Sequence, residues 1–486
     1  MNAVFIIIIL VFVMGYACIA LEHPLKINKA ASALLMGVAL WTLMVIGGEK
    51  AIINQELYLH FLHDNSGGSF IDWIIQNELI MKLGGIAEIL FFLLGAMVIV
   101  ETIDSYGGFK IITDKITTTN RVKFLWIVFA LSFTMSPVLD NLTTTIVMVA
   151  LLRKLVARQR ERWIYACVII FSANSGGAWS PIGDITTIML WAGGKVSVTS
   201  VISKVFLASL VSVVVPLIIL SFRLRGNFTH PEPSENPEEV VNQISKRERL
   251  IMLCMGVGAL LFVPVFKTVT NLPPYLGMIG GVGFLWVLTE ISQVRHARRD
   301  NSKLNIPTIL TRIDVSSILF FLGILLAVEA LEICGHLMLL SDTLELIPLA
   351  DSEKYLVIGY IIGLLSAMVD NVPLVAAAIG MYSFELDHYF WLFVSYCAGA
   401  GGNILIIASA AGIAAMGLEK IDFIWYFKKI TWLAFVGYTA GALFFVAQNY
   451  KGIKNYYEKQ EKVEVSYNQI IEKEKEKEVN TLFIFQ

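Results

Sequence analysis

The sequence predicts an all-α polytopic membrane protein made of two inverted repeats of five spanning helices, each repeat with a re-entrant hairpin and a broken helix. Three observations predict it. Of 486 residues, 56% are hydrophobic and only 16% charged, whereas a soluble chain carries about 25% charged residues. An Asp-Asn pair between apolar runs occurs twice, in Ser136-Pro137-Val138-Leu139-Asp140-Asn141-Leu142-Thr143-Thr144-Thr145 and in Ser366-Ala367-Met368-Val369-Asp370-Asn371-Val372-Pro373. The loops flanking the two copies have opposite charge. Lys110, Lys115, Arg121, Lys123, Arg153, Lys154, Arg158, Arg160 and Arg162 surround the first, and Asp342, Glu345, Asp351, Glu353, Glu385 and Asp387 surround the second.

The first repeat covers residues 1–222. Apolar runs predict helices at about 3–22 and 30–47, then a wetter segment at 48–77 and a helix at about 79–102. Phe5–Leu21 lacks a basic n-region and a small-residue cleavage site, so it is read as a retained helix and not as a signal peptide. The hairpin is placed at 122–156. Its apolar runs, Phe124–Met135 and Ile146–Leu152, fall short of the roughly 20 residues a spanning helix needs. The chain is therefore expected to enter, turn at Ser-Pro and Asp-Asn, and leave by the same side. The broken helix is placed at 163–192 around Ser172-Ala173-Asn174-Ser175-Gly176-Gly177-Ala178-Trp179-Ser180-Pro181-Ile182-Gly183-Asp184, because Ser-Gly-Gly and Ser-Pro oppose continuous helix. A helix at about 200–222 closes the half.

Residues 223–249 are polar, hold Pro231, Pro233 and Pro237, and read as a cytoplasmic linker. The second repeat, 250–449, follows the same plan. Helices are expected at about 250–266, 275–291 and 313–337, a hairpin at 355–384, a broken helix at 390–418 around Ala398-Gly399-Ala400-Gly401-Gly402-Asn403, and a last helix at about 424–448. The tail, 450–486, alternates Lys and Glu and is expected to be solvated and partly disordered. The five cysteines stand singly in apolar segments, so neither a disulfide framework nor a metal pattern is expected.

The duplication is legible in register. Leu94-Gly95 and Glu101 recur as Leu322-Gly323 and Glu329, all at one offset. Ser136, Asp140 and Asn141 recur at nearly that offset as Ser366, Asp370 and Asn371, and so do Gly176-Gly177 as Gly401-Gly402. Positive loops stay cytoplasmic, so the first hairpin is expected to open inward and the second outward, with both termini outside.

Inverted repeats with broken helices facing at the midplane are a transporter's architecture. Hydroxyls, carbonyls and carboxylates are hard oxygen donors suited to a small hard cation. Ser136, Asp140, Asn141, Thr144 and Asn174 are candidates for one half of an ion site, and Ser366, Asp370, Asn371, Asn403 and Ser409 for the other. Carboxylates at membrane depth are expensive and are normally kept for function. Two of them repel when both are ionised, so one is expected to hold a proton and exchange it for a cation. Asp184 has no acidic counterpart in the second half. With Thr186 and Thr187 it is either a further ion or proton carrier or the N-cap of a half-helix. Glu101 and Glu329 are secondary candidates that fit carboxylates snorkelling to the headgroups better than an ion site.

Long motifs carry a resemblance. Leu21-Glu22-His23-Pro24-Leu25-Lys26-Ile27-Asn28-Lys29, the run 136–144, the run 172–184 and Asp370-Asn371-Val372-Pro373 resemble the signatures of the NhaD-type sodium/proton antiporters, over about residues 15–448. That family belongs to the ion transporter superfamily, with arsenite permeases and sodium/dicarboxylate symporters. The resemblance implies exchange of Na⁺ or Li⁺ for H⁺ in a bacterial inner membrane (or by a plastid relative), no cofactor, and often a homodimer. Nothing in the chain suggests a nucleic-acid partner. An arsenite or other anion permease of the same fold is the alternative, although a dianion would meet an Asp at each hairpin tip. An intramembrane aspartyl protease fits poorly, since Pro181 stands where Gly-x-Gly-Asp needs its first glycine.

Overall fold

A computed structural model describes the chain apart from residues 1–2, 21, 53–55, 65–67, 114–117, 230–243, 296–304, 368–370 and 485–486. Its main helices, in order, are α1 Ala3–Ala20, α2 Lys29–Gly47, α3 Ile80–Ser105, α4 Arg121–Leu139, α5 Asn141–Leu155, α6 Gln159–Ala178, α7 Ile185–Ala192 and α8 Val198–Arg223. The second half adds α9 Lys246–Thr270, α10 Pro274–Arg295, α11 Val315–Cys334, α12 Asp351–Leu365, α13 Asn371–Met381, α14 Tyr389–Gly401, α15 Ala410–Glu419 and α16 Thr431–Ile484. Among the described residues, eight helices are long and apolar enough to cross a membrane. The protein is a multi-pass membrane protein.

Two apolar cores organise it. One gathers the paired arms α4–α5 and α12–α13, the broken helices α6–α7 and α14–α15, and the long helices α8 and α16. The other gathers α1, α2 and α11, with α11 packed along α2. Glycine permits that approach, since a Cβ on Gly323 would stand 2.5 Å from the backbone of Ala33 and Leu34.

Equivalent positions in the two halves make equivalent contacts. Ser136 donates to the Ala173 carbonyl at 2.5 Å, and Ser366 donates to that of Ala398 at 3.1 Å. A Cβ on Gly176 would collide with the Phe133 carbonyl, and one on Gly401 with the Gly363 carbonyl. Glu101 pairs with Arg312 at 3.6 Å and Glu329 with Lys82 at 2.7 Å, so each of these acids meets a base from the other half.

Several boundaries differ from expectation. Ser136-Pro137 does not turn the first hairpin: helix α4 runs through it for 19 residues, and the turn falls at Asp140 alone. The proline removes the amide that would bond the Phe133 carbonyl, and that carbonyl lies where Gly176 passes closest. The third helix is longer than 79–102, continuing unbroken from Phe70 through a π-helical stretch at Ile74–Leu79. The helix expected at 313–337 stops at Cys334, where Gly335 adopts φ 87°, and resumes as His336–Glu345. The helix expected at 424–448 breaks at Ile430 between Phe423–Lys429 and α16.

The tail is also a correction, because α16 continues through it to Ile484. Lys and Glu three and four apart support a helix through side-chain pairing, as between Lys454 and Glu458 at 3.7 Å. Ile453 is buried, and Tyr457 lies 3.3 Å from His388 Nε2. Burial pushes the His388 imidazole down to about 4. The neutral ring keeps Nδ1 as the acceptor that caps α14, from the Phe390 amide at 3.2 Å.

Candidate functional site

The site lies where the hairpin turn α4–α5 meets the interruptions of both broken helices. Helix α6 ends at Ala178 and α7 starts after Asp184. Gly177 and Gly183 allow the crossover to fold tightly, since a Cβ on Gly177 would collide with the Gly183 carbonyl. In the second half α14 ends at Gly401 and α15 starts after Ser409.

Asp184 is 1% exposed. Its Oδ1 accepts the Thr186 amide at 2.9 Å and the Thr186 hydroxyl at 2.6 Å, so it is the N-cap of α7. Its Oδ2 accepts Asn141 Nδ2 at 2.9 Å. The same Asn141 nitrogen donates to Asn174 Oδ1 at 3.1 Å. Asn174 Nδ2 then donates to Asn403 Oδ1 at 3.0 Å and to Ser409 Oγ at 2.8 Å. Asn403 Nδ2 continues to Ser175 Oγ at 3.2 Å. One buried chain of amides therefore runs from the first hairpin through both broken helices. Buried polar groups cost several kcal/mol unless bonded, so such a chain is rigid when complete.

Asp140 is placed differently from Asp184. It is half-buried at φ 68° and caps α5, accepting the Thr143 amide at 2.7 Å and the Thr143 hydroxyl at 3.0 Å. The Asp140–Asp370 pair expected from the duplication falls outside the description, because Asp370 lies outside the described residues. Asn371 beside it is buried.

Of the remaining candidates, Ser136 and Ser366 are buried and bond carbonyls of the broken helices, tying each hairpin to its crossover. Thr187 turns away from Asp184 and lies 3.2 Å from Ser395 Oγ, both hydroxyls serving the freed Ala178 carbonyl. The hydroxyls of Thr144 and its neighbour Thr145 are fully buried and find no hydrogen-bond partner among the described residues. Glu101 and Glu329 are held by Arg312 and Lys82, away from this network.

Sequence reasoning missed Ser175, Ser212, Ser395 and Tyr426. Ser212 Oγ lies 2.9 Å from Ser175 Oγ, and the Tyr426 hydroxyl donates to the Asn403 carbonyl at 2.6 Å. Ser175 had a signal, since it sits inside the Ser-Ala-Asn-Ser-Gly-Gly motif; Ser212 and Tyr426 lie in ordinary apolar helices and had none. Glu419 was missed as well. Its carboxylate is fully buried and takes Arg153 Nε at 2.9 Å and Arg162 Nε at 2.8 Å, tying the end of α15 to the mouth of the first hairpin.

Comparison with known proteins gives the family. The family described as "Citrate transporter" matches residues 16–412. The chain belongs to that family. It is 43% identical over 443 residues to sodium/proton antiporter 1 of Arabidopsis thaliana, covering 90% of this chain and 71% of that one. It is 41% identical to sodium/proton antiporter 2 of the same plant, over 90% and 98% of the two chains. It is 28% identical to the Na⁺/H⁺ antiporter NhaD of Vibrio cholerae over 91% of each. Within this citrate transporter family, the resemblance to NhaD-type antiporters first seen in the motifs thus extends over nearly the whole chain.

Proposed function

We propose that the protein exchanges Na⁺ or Li⁺ for H⁺ across its membrane by alternating access. The observation that carries the proposal is Asp184, a buried carboxylate joined through Asn141 and Asn174 to Asn403 and Ser409 of the other half. A carboxylate among amide and hydroxyl oxygens suits a small hard cation. In a dry site it is neutralised by a cation or by a proton, and holding one excludes the other; that competition is exchange. Asp140, at the hairpin turn, is proposed as a second carboxylate of the site; two such charges in a dry site would repel, which would favour a proton or cation on one of them at any time. Asp370 is proposed as the counterpart of Asp140 in the second half, with Ser366, Asn371, Thr144, Thr186 and Thr187 shaping the site. The charged groups named here are acids, which suit a cation and oppose a citrate-like anion.

The chain is read as two inverted repeats, 1–222 and 250–449, joined by a cytoplasmic linker at 223–249. The repeated contacts of Ser136 and Ser366, of Gly176 and Gly401, and of Glu101 and Glu329 support the duplication. The opposite charge of the loops supports the inversion, with the first hairpin opening to the cytoplasm and the second outside. The membrane is a bacterial inner membrane or that of a plastid, and the higher identity to the plant antiporters gives the second equal standing. A homodimer is the assembly expected from the superfamily.

Adding Na⁺ or Li⁺ to acidified everted vesicles should drive proton efflux, read by a pH-sensitive dye. If neither ion moves protons at any pH from weakly acidic to alkaline, the proposal fails and an arsenite permease takes its place.

A further inference from the structure

The stretch between the second broken helix and α16 differs from its counterpart in the first half. At the offset that relates Gly176-Gly177 to Gly401-Gly402, residues 423–429 correspond to 198–204. Both stretches start at an N-cap, Ser197 in the first half and Asp422 in the second. Residues 198–204 run without interruption into α8, whereas Phe423–Lys429 is a helix of its own that stops at Ile430 before α16 begins. The duplication therefore does not ask for a separate helix here. Its Phe423, Ile424 and Phe427 are 38%, 57% and 54% exposed. Their spacing puts them on one side of the helix, and Tyr426, fully buried, falls on another. The last turn carries Lys428 and Lys429, both exposed and neither with an ion-pair partner among the described residues. Tryptophans, which gather where membrane meets water, stand at the same level. Trp425 meets the Trp163 ring at 5.1 Å between centroids, and the Arg223 guanidinium lies 5.1 Å over the Trp432 ring. Inward, the helix touches the ion site. The Tyr426 hydroxyl donates to the Asn403 carbonyl at 2.6 Å, and Asn403 Oδ1 accepts Asn174 Nδ2 at 3.0 Å.

A short helix with an apolar face and free lysines at one end suits the plane of a bilayer surface, its apolar side chains among acyl chains and its ammonium groups among phosphates. We propose that Phe423–Lys429 is a docking site for an anionic phospholipid of the cytoplasmic leaflet, with the phosphate on Lys428 and Lys429 and the acyl chains on Phe423, Ile424 and Phe427, and that the bound lipid sets Na⁺ affinity through Tyr426. Charge selects the occupant. A zwitterionic headgroup brings an ammonium that the two lysines repel, whereas an anionic one brings only the phosphate they attract. The one acid between residues 420 and 432 is Asp422, which stands at the far end of the helix and caps it through the Trp425 amide at 2.7 Å. Exposed Lys420, Arg153, Arg158 and Arg160 add positive charge on the same side of the protein. A lipid that anchors both lysines holds the helix at the surface and Tyr426 against the Asn403 carbonyl. Without it, Asn403 loses the donor that fixes the acceptor of Asn174. This rests on the proposed exchange of Na⁺ for H⁺ and adds the partner that tunes the same site.

The test uses the full chain, first in detergent and then in proteoliposomes. Native mass spectrometry reads how much phosphatidylglycerol and phosphatidylcholine of the same acyl chains stay on the protein. The unaltered protein should keep phosphatidylglycerol severalfold over phosphatidylcholine. Lys428→Gln with Lys429→Gln should abolish the preference, and Lys428→Arg with Lys429→Arg should keep it. Lys451→Gln, which removes an exposed lysine beyond the opposite membrane end of α16, should leave it unchanged. Either single Gln substitution should lower the preference in the same direction and serves if the double variant does not fold. Equal preference in the Gln variants and the unaltered protein overturns the site. In phosphatidylcholine proteoliposomes, adding phosphatidylglycerol should lower the half-maximal Na⁺ concentration of exchange severalfold more for the unaltered protein than for the double Gln variant. A negative surface concentrates Na⁺ for both proteins alike, so the difference between them is the readout, and no difference overturns the tuning. Tyr426→Phe should retain phosphatidylglycerol and respond as weakly as the double Gln variant; a full response overturns the role of Tyr426. Soluble glycerol phosphate reproducing the shift in phosphatidylcholine alone overturns the lipid as occupant. If lipid preference follows the lysines and no protein exchanges in any vesicle, the docking site stands and the antiport reading falls.

Discussion

The two broken helices are built alike and charged differently. Each is interrupted after a Gly-Gly pair, and each lays one glycine of the pair against a carbonyl of its own hairpin. Each resumes at an N-cap, and the two caps, Asp184 and Ser409, are related by the same offset as the glycine pairs. Ser409 accepts the Gly412 amide at 3.1 Å, and Asp184 accepts the Thr186 amide at 2.9 Å. Serine and aspartate cap equally well. The fold therefore asks for an acceptor at both places and for a charge at neither. A carboxylate fully removed from water is costly, and its presence at 184 alone is what the proposed exchange chemistry, and not the architecture, would call for.

The sharpest way to break this comparison is Asp184→Asn. Asparagine keeps the cap and the volume, so the protein should still insert and fold, while Na⁺-driven proton movement in everted vesicles should fall to that of vesicles lacking the protein. Near-normal exchange in a well-expressed variant would return Asp184 to the role of a cap. Asp140→Asn and Asp370→Asn should also abolish exchange; should only these two do so, the acid of the broken helix is scaffold. Moving the acid, as Asp184→Ser with Ser409→Asp, should preserve both caps without restoring exchange. The Asn141 amide reaches position 184, whereas position 409 receives Asn174.

Asn174→Ala comes next in size. It deletes the link between the halves and leaves Asn403 without its donor, so apparent Na⁺ affinity should drop about tenfold, the worth of roughly 1.4 kcal/mol of lost hydrogen bonding. Unaltered half-maximal Na⁺ concentration would show that the amide chain does not shape the site. A difference at the outer ends of the same helices bears on stability. The carboxylate of Glu419 at the end of α15 is fully buried between Arg153 and Arg162. The loop after α7 is instead held by Asp387, through Ser197 N at 2.6 Å and Ser197 Oγ at 2.7 Å. Glu419→Ala should cost about 3 kcal/mol, as uncompensated buried ion pairs do, and Asp387→Ala about 1 kcal/mol, read as thermal unfolding in detergent. Equal losses would remove the distinction. Ser409→Ala, which removes about 1 kcal/mol of cap and one acceptor of Asn174, should lower stability as little as Asp387→Ala and Na⁺ affinity less than Asn174→Ala.

The turn of the first hairpin shows where local reading stopped. Ser-Pro looked like a bend because proline cannot donate an amide, yet α4 runs through it, since the broken helix supplies the packing that a solvated proline would lack. The tail shows the reverse: charge alternation read as solvated, and the same alternation extends α16 once its first turns bury Ile453 and reach His388.

Sequence alone determined the membrane class and the positions of both breaks, and it supplied the repeated motifs and the acids proposed as functional, because hydropathy, glycine pairs and loop charge act within a turn or two of chain. It also left Asp184 evenly between cap and carrier, and the structure shows it to be a cap whose other oxygen accepts the Asn141 amide. Only the tertiary structure decided which polar groups meet. Asn174 finds Asn403 and Ser409, Lys82 finds Glu329, and Arg153 and Arg162 find Glu419, each in the opposite half of the chain. Such partners depend on how two halves interleave, and a buried polar group takes whatever donor the packing brings to it, because leaving it unpaired costs more than any local preference can return.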